Sequence, residues 1–521
     1  MARRGKRRNM STSPVARIMN HMVEPDSQNK IPEKMDVVED NSRPEATFQF
    51  VMENFSELKE QRMSQPFYVR NLPWNIMVVQ KEVRKSWIEP SMTAVAFFLQ
   101  CAVDSKNTPW SVYATAQLRI LAQKKRCHSF VREIQHIFCE QENDWGYHCF
   151  MLWKDVINKS KGYIKNDTVI FEVTVMANVA HGLDWDSKKY TGYIGLKNQG
   201  ETCYMNSLLQ ALYFTNQLRK AVYKMPTESD DSNKSVTLGL QRLFHDLQLY
   251  DEPVDSKKLI NNFGWGKVNL YIQHNVQPFL RILLDKLDNK MKGTCVEGTI
   301  SKLFEGKLIS YINCKNVDCT STRTETFYSI QLNIKGKKNI YKAFNDYIQA
   351  DILDGYRQYH AGEYGLQDAE KGVIFESFPT VLYLHLGRFR FNPSTLSFDK
   401  LDDRFEFYDK INLDRYLKVK EDTPANYILH AVFVENDYNY GGYNVVFINT
   451  KGDDQWYIFD NDVVSRCSKK EAIEHNFGGN DRNKEIMSIK PCKNAYMLVY
   501  IRDSELKNVL QEVTVNDIPK E

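Results

Sequence analysis

Cys203 is placed as a nucleophile. In Gly200-Glu-Thr-Cys-Tyr-Met-Asn-Ser-Leu-Leu-Gln-Ala-Leu-Tyr, Gly200 breaks the preceding segment, Thr202 is positioned to cap, and Met205, Leu208, Leu209, Leu212 and Tyr213 recur at helical spacing. The cysteine therefore falls in the first helical turn, where unpaired backbone N–H groups and the positive end of the helix dipole favour thiolate over thiol. Asn198, in the turn leading into that helix, carries a side-chain amide able to donate to the oxyanion formed when a thiolate attacks a carbonyl. An arbitrary cysteine is more often a buried free thiol than a nucleophile. Here the surrounding string argues for chemistry.

The string Asn198-Gln-Gly-Glu-Thr-Cys-Tyr-Met-Asn-Ser resembles the cysteine box of the ubiquitin-specific proteases, papain-like deubiquitinating enzymes. Val381-Leu-Tyr-Leu-His-Leu-Gly-Arg-Phe resembles that family's strand ending in Arg-Phe, and Asn494-Ala-Tyr-Met-Leu-Val-Tyr its closing strand, so the resemblance spans residues 193–503. Carried over position by position, it implies Cys203 as nucleophile, Asn198 as oxyanion donor, and Asp460, in Trp456-Tyr-Ile-Phe-Asp, as the acid that orients an imidazole base. The base itself departs. The family reads Gly-Gly-His followed by an aromatic residue, whereas this chain reads Gly441-Gly442-Tyr443-Asn444. A phenol titrates near ~10 and an imidazole near ~6.5, so at neutral pH a tyrosine is a protonated donor with no free basic nitrogen. Deleting the base of such a triad costs on the order of several powers of ten in rate. The expectation is an impaired enzyme, with His430 and His475, neither at a family position, as the histidines that would have to substitute.

A second departure concerns substrate grip. Tyr271-Ile-Gln-His-Asn-Val-Gln-Pro resembles the family box lining the channel for ubiquitin's tail; Gln273 matches its glutamine, Asn275 replaces an aspartate and Pro278 a glutamate. A neutral amide pairs with the arginines of that tail more weakly than a carboxylate. Pro278 also threatens the helix expected there. Ordinary surface variation is the competing reading. Cys314-Lys-Asn-Val-Asp-Cys319 offers one cysteine pair where a closed zinc site needs four ligands, so neither metal nor other cofactor is expected.

The elements that must position these residues follow from pattern. From 46 to 178, short runs alternate apolar and polar residues, as in Trp74/Ile76/Val78, Val112/Ala114/Ala116/Leu118/Ile120 and Val169/Phe171/Val173/Val175, which predicts an antiparallel β-sandwich. Trp74, Trp110 and Glu142-Asn-Asp-Trp-Gly-Tyr within it resemble the MATH, or TRAF-like, domain found in the same proteases. That resemblance implies a groove in which Asp144, Trp145 and Gly146 grip short linear peptides along an edge strand. A loop anchor is the alternative role for those three. Residues 179–192 read as a short polar linker, 193–503 as the protease domain, and 504–521 as a C-terminal tail. Helical periodicity over about 200–290 suits the family's thumb, and alternation from about 305 suits its fingers and palm. The fold class is α+β.

Composition sets the remaining bounds. With 521 residues and 42% hydrophobic content the chain can bury two cores. A net charge of +3 marks no general nucleic-acid binder outside the basic run Met1-Ala-Arg-Arg-Gly-Lys-Arg-Arg, which opens a polar segment, 1–45, expected to be disordered. That run reads equally as a nuclear import signal or a solvated tail, with nonspecific nucleic-acid attraction as a third reading. No apolar h-region follows it, so no secretory signal is expected. Ten cysteines without even spacing fit reduced thiols in nucleus or cytoplasm, and no apolar run approaches a membrane span. Two functions remain. The favoured one is a binding protein on a deubiquitinase scaffold, recruiting peptide-bearing partners and ubiquitin or ubiquitinated proteins without cleaving; the other is a working thiol protease with Cys203 and an unrecognised base.

Overall fold

Strict alternation builds the N-terminal body. The strands Ser111–Ile120 and Thr168–Ala177 bury every second residue, Val112 to Ile120 and Val169 to Ala177, because side chains on a strand point to opposite faces in turn. The computed structural model describes residues 40–84, 91–105, 108–198, 203–263, 276–392, 397–436, 443–479 and 493–519; the basic run and most of segment 1–45 lie outside them. One sheet runs Glu45–Met52, Thr168–Ala177, Ser111–Ile120, Phe130–Cys139, and the facing sheet runs Arg62–Met63, Leu72–Val83, Met92–Cys101, Asp144–Leu152. Between them Trp74 meets Phe138 edge to face at 5.1 Å, and Phe97 meets Phe171 at 5.2 Å, the geometry that aromatic quadrupoles favour. Phe130–Cys139 and Asp144–Leu152 each pair on one side only, which leaves two adjacent sheet edges.

The second body wraps helices around one face of a larger sheet. Its strand order is Ser329–Leu332, Val381–Leu386, Lys493–Arg502, Asn426–Asn436, Tyr443–Asn449, Trp456–Asp460, Val463–Cys467. Val381–Leu386 is buried at every position, so its apolar run, interrupted only by His385, reflects burial on both faces. On one face Tyr383, Phe433, Val446 and Met497 pack with Leu208, Leu212, Phe244 and Leu284 from the helices Cys203–Tyr213, Val236–Leu249 and Val276–Met291. On the other, Leu384, Val432 and Phe447 pack with Phe344, Phe407 and Trp456. A separate sheet, Thr320–Phe327, Gly306–Cys314, Ala369–Ser377, Asp351–Leu353, projects its outer strand into solvent as fingers would. The architecture is the α+β one expected, a sandwich followed by thumb, palm and fingers.

One expectation changes. Pro278 does not break its helix: it sits near the start of Val276–Met291, which continues past it with Phe279, Leu280 and Leu283 buried, because a proline is tolerated where the backbone N–H has no helical acceptor. The linker is not loose. Asp186 caps the short helix Ser187–Thr191 by accepting from Lys189 N–H, Trp185 donates its indole N–H to Val464 O at 2.9 Å, and Ser187 Oγ accepts from Val464 N–H at 2.9 Å. The presumed tail is docked as well, since Val509 and Val513 are buried and Asn216 donates to Leu510 O at 3.0 Å. Polar composition hid these segments because each is held by hydrogen bonds and a few apolar anchors. Among the described residues no helix is long and apolar enough to cross a membrane.

Candidate functional site

Cys203 opens the helix Cys203–Tyr213, all of whose residues are buried. One turn on, Asn206 locks this helix to the strand carrying Asp460. Its Nδ2 donates to Asn461 Oδ1 at 3.2 Å and to Lys197 O at 3.3 Å, while its Oδ1 accepts from Ser256 Oγ at 2.9 Å. Asn461 takes a left-handed φ of 53° in the tight turn between Trp456–Asp460 and Val463–Cys467, a conformation asparagine tolerates. Leu196 N–H donates to Asn461 O at 2.7 Å, and a Cβ on Gly195 would lie 2.1 Å from that oxygen, so only glycine fits there. Cys203 and Asp460 thus arrive in one neighbourhood from distant parts of the chain. Asn198 is exposed on the approach to the helix, behind Lys197, whose N–H donates to Val254 O at 2.8 Å.

The sulfur's direct partner went unread in the sequence. Asn444 donates to Cys203 Sγ twice, from its backbone N–H and from its side-chain Nδ2, each at 3.4 Å. The resemblance read from the sequence expects an aromatic residue after the Gly-Gly-His position, and Asn444 in its place was the available signal. Tyr443 begins the strand Tyr443–Asn449, opposite Asn436. A second phenol, Tyr496, is partly buried with its hydroxyl enclosed, its ionised form disfavoured first by burial and then by repulsion from Cys203 and Glu435, and among the described residues that hydroxyl has no partner. It donates protons poorly and accepts none. Gln273 and Asn275 lie outside the described residues.

Neither candidate histidine reaches the sulfur. His430 is fully buried, pulled down to about 4 by desolvation, with Nδ1 3.0 Å from Asn449 O. Asn449 ends the strand Tyr443–Asn449 five residues beyond Asn444, so the backbone positions that hold the ring and the thiol lie about 17 Å apart at ~3.4 Å per residue. His475 is exposed in the turn Glu474–Asn476, and Phe477 just beyond it bridges Asn494, on the far side of strand Asn426–Asn436 from Asn444.

In the sandwich, Asp144, Trp145 and Gly146 open the edge strand Asp144–Leu152. Trp145 is 44% exposed yet rigid, stacked flat on His136 from the other edge strand at 4.1 Å and 3°. Gly146 is obligatory for packing, since a Cβ there would lie 2.2 Å from Phe97 O. A ring held over a free strand edge, with the Asp144 carboxylate beside it, can pair with an extended peptide and discriminate its side chains.

The two bodies also share a site. Arg70, in the left-handed region at φ 56° between Phe67–Val69 and Leu72–Val83, donates from Nε to Ala177 O at 3.0 Å and from Nη2 to Arg466 O at 2.5 Å. Burial draws its proton affinity down, against the pull of Glu471. A cavity of about 170 Å³ beside it is lined by Tyr113, His181, Asp460, Ser465 and Glu471.

Comparison with known proteins agrees with both halves. The pattern for the family described as ubiquitin carboxyl-terminal hydrolase matches residues 194–500, and that for the MATH domain matches 47–175. The chain is 56% identical over 481 residues to ubiquitin carboxyl-terminal hydrolase 7 of Drosophila melanogaster, covering 92% of this chain and 42% of the relative. It is 40% identical over 494 residues to ubiquitin C-terminal hydrolase 13 of Arabidopsis thaliana, covering 91% and 44%. It is 39% identical over 427 residues to ubiquitin carboxyl-terminal hydrolase 15 of Saccharomyces cerevisiae, covering 75% and 35%. The chain spans less than half the length of these relatives.

Proposed function

Because the chain belongs to the ubiquitin carboxyl-terminal hydrolase family and carries a MATH domain ahead of the protease fold, we propose that it is a catalytically impaired deubiquitinase acting by binding. The observation that carries this reading is Tyr443-Asn444: the residue in contact with Cys203 follows a tyrosine that stands where the resemblance read from the sequence puts a histidine. Cys203 is the nucleophile retained, Asn198 the oxyanion donor and Asp460 the acid without an imidazole to orient. Two N–H donors on the sulfur stabilise negative charge there, but neither can accept the thiol proton or return one to a leaving amine. A thiol so placed adds to electrophiles and does not turn over.

Ubiquitin or ubiquitinated proteins are the partners of the protease fold, weakened at the tail by Asn275 and Pro278. Short linear peptides are the partners of Asp144, Trp145 and Gly146, and nucleus and cytoplasm are the compartments of action. The test is a fluorogenic ubiquitin substrate beside an electrophilic ubiquitin probe. Labelling of Cys203 without turnover is expected, and Tyr443→His, alone or with Asn275→Asp, is expected to raise hydrolysis at least tenfold. Rapid turnover by the unmodified chain overturns the proposal.

A further inference from the structure

The outermost finger hairpin brings two sulfurs together. Strands Gly306–Cys314 and Thr320–Phe327 pair from Gly306↔Phe327 to Asn313↔Thr320. The next step in register sets Cys314 against Cys319, and Cys314 N–H donates to Cys319 O at 3.0 Å. Residues directly opposite in an antiparallel pair hold their Cα atoms about 4.5–5.5 Å apart, within the window of about 4.4–6.8 Å that a disulfide requires. Cys314 holds its proton more tightly than a free thiol does, through desolvation and then through the neighbouring Cys319 thiol. Both residues are only partly buried, so a small oxidant has access. Two sulfurs supply half of a closed zinc site, and among the described residues no group of three or more His, Cys, Asp or Glu is arranged to hold a metal.

We propose that Cys314 and Cys319 form a redox modification site, closing to a disulfide across the fingertip when the chain meets hydrogen peroxide. The peroxide O–O bond breaks as one thiol sulfur attacks it; one oxygen stays on that sulfur as a sulfenic acid and the other leaves as water. The neighbouring sulfur then attacks the sulfenic sulfur, the S–S bond forms, and the second oxygen departs with the remaining thiol proton as a second water. Two thiols are oxidised and one peroxide is reduced. Because the resolving thiol stands on the facing strand, the sulfenic acid is consumed before over-oxidation, and a small-molecule dithiol reverses the modification. The site is independent of Cys203, so its behaviour does not depend on whether the chain hydrolyses ubiquitin.

The full chain is treated with hydrogen peroxide, alkylated with iodoacetamide and mapped by peptide mass. The expected result is a linked peptide pair lacking two hydrogens, restored to alkylatable thiols by dithiothreitol, and several-fold more dimedone labelling at Cys314 in Cys319→Ser than in the unmodified chain. The exposed Cys149 and Cys295 serve as internal references. Cys314 and Cys319 remaining alkylatable at doses that oxidise those references, or equal dimedone labelling with and without Cys319, overturns the proposal. So does stoichiometric zinc binding that Cys314→Ser abolishes, since the pair would then be a metal site.

Discussion

Arg70 is the test of how the two bodies are joined. Replacing it with methionine keeps the aliphatic stem and removes the guanidinium, and with it the bonds to Ala177 O at 3.0 Å and Arg466 O at 2.5 Å. Each is a hydrogen bond from a charged donor, worth about 1.5–3 kcal/mol when buried. Glu471, only 4% exposed, simultaneously loses the cation that faces it. The two bonds together come to about 3–6 kcal/mol, which brackets the loss of about 3–5 kcal/mol when one partner of a buried charged pair is removed. The cost should concentrate at the interface, so Arg70→Met is assayed by urea unfolding together with amide hydrogen exchange. Faster exchange at Val464, whose N–H is held by Ser187 Oγ, and at His181, whose N–H donates to Ser111 O, is expected before the cores of either body open. A loss below about 1 kcal/mol with unchanged exchange at both amides would refute the idea that this arginine fastens the sandwich to the strand after Asp460.

Acid should loosen the palm. His385 and His430 are held neutral by burial, each down to about 4, against ~6.5 for an unfolded imidazole. Below pH ~6.5 the unfolded chain binds more protons, so their contribution is fully present above that value and is lost as pH falls toward 4; roughly 2 kcal/mol per histidine should be gone by pH 5. Urea midpoints measured at pH 7.5 and pH 5 check this, and a flat profile contradicts it. In the sandwich, Gly146→Ala forces a Cβ to 2.2 Å from Phe97 O and 2.6 Å from Phe98 Cα, so the edge strand must shift at a cost of about 2 kcal/mol or more. The accompanying loss of the Trp145–His136 stack is readable in tryptophan fluorescence, and unchanged emission with unchanged stability would remove the packing argument for that glycine.

What the sequence disclosed and what it withheld divide along a physical line. Periodicity reports burial, so the sandwich strands, the helix Cys203–Tyr213 and the buried strand Val381–Leu386 were readable without coordinates. Contacts set by single hydrogen bonds leave no period. Asn206 looks like any polar residue in a helix, yet it ties Cys203's helix to the turn after Asp460 through Asn461 and Ser256. Trp185 and Ser187 sit in a stretch whose composition says linker, and only their bonds to Val464 turn it into a brace. Arg70 defeats sequence reasoning most completely, since an arginine in a two-residue turn suggests an exposed tip, whereas it is 3% exposed and bonded to a residue nearly four hundred positions away. Asn444 is intermediate. Its place beside Tyr443 marked it as part of a departure from the family string, but that it would turn both donors onto the sulfur required the strand register. That register carries a consequence for repair. Tyr443→His introduces a basic nitrogen next to Asn444, so the gain in hydrolysis proposed for that variant depends on whether the imidazole can displace two 3.4 Å contacts. Each is a weak sulfur hydrogen bond beside a charge-assisted thiolate–imidazolium pair, and on that comparison the imidazole wins.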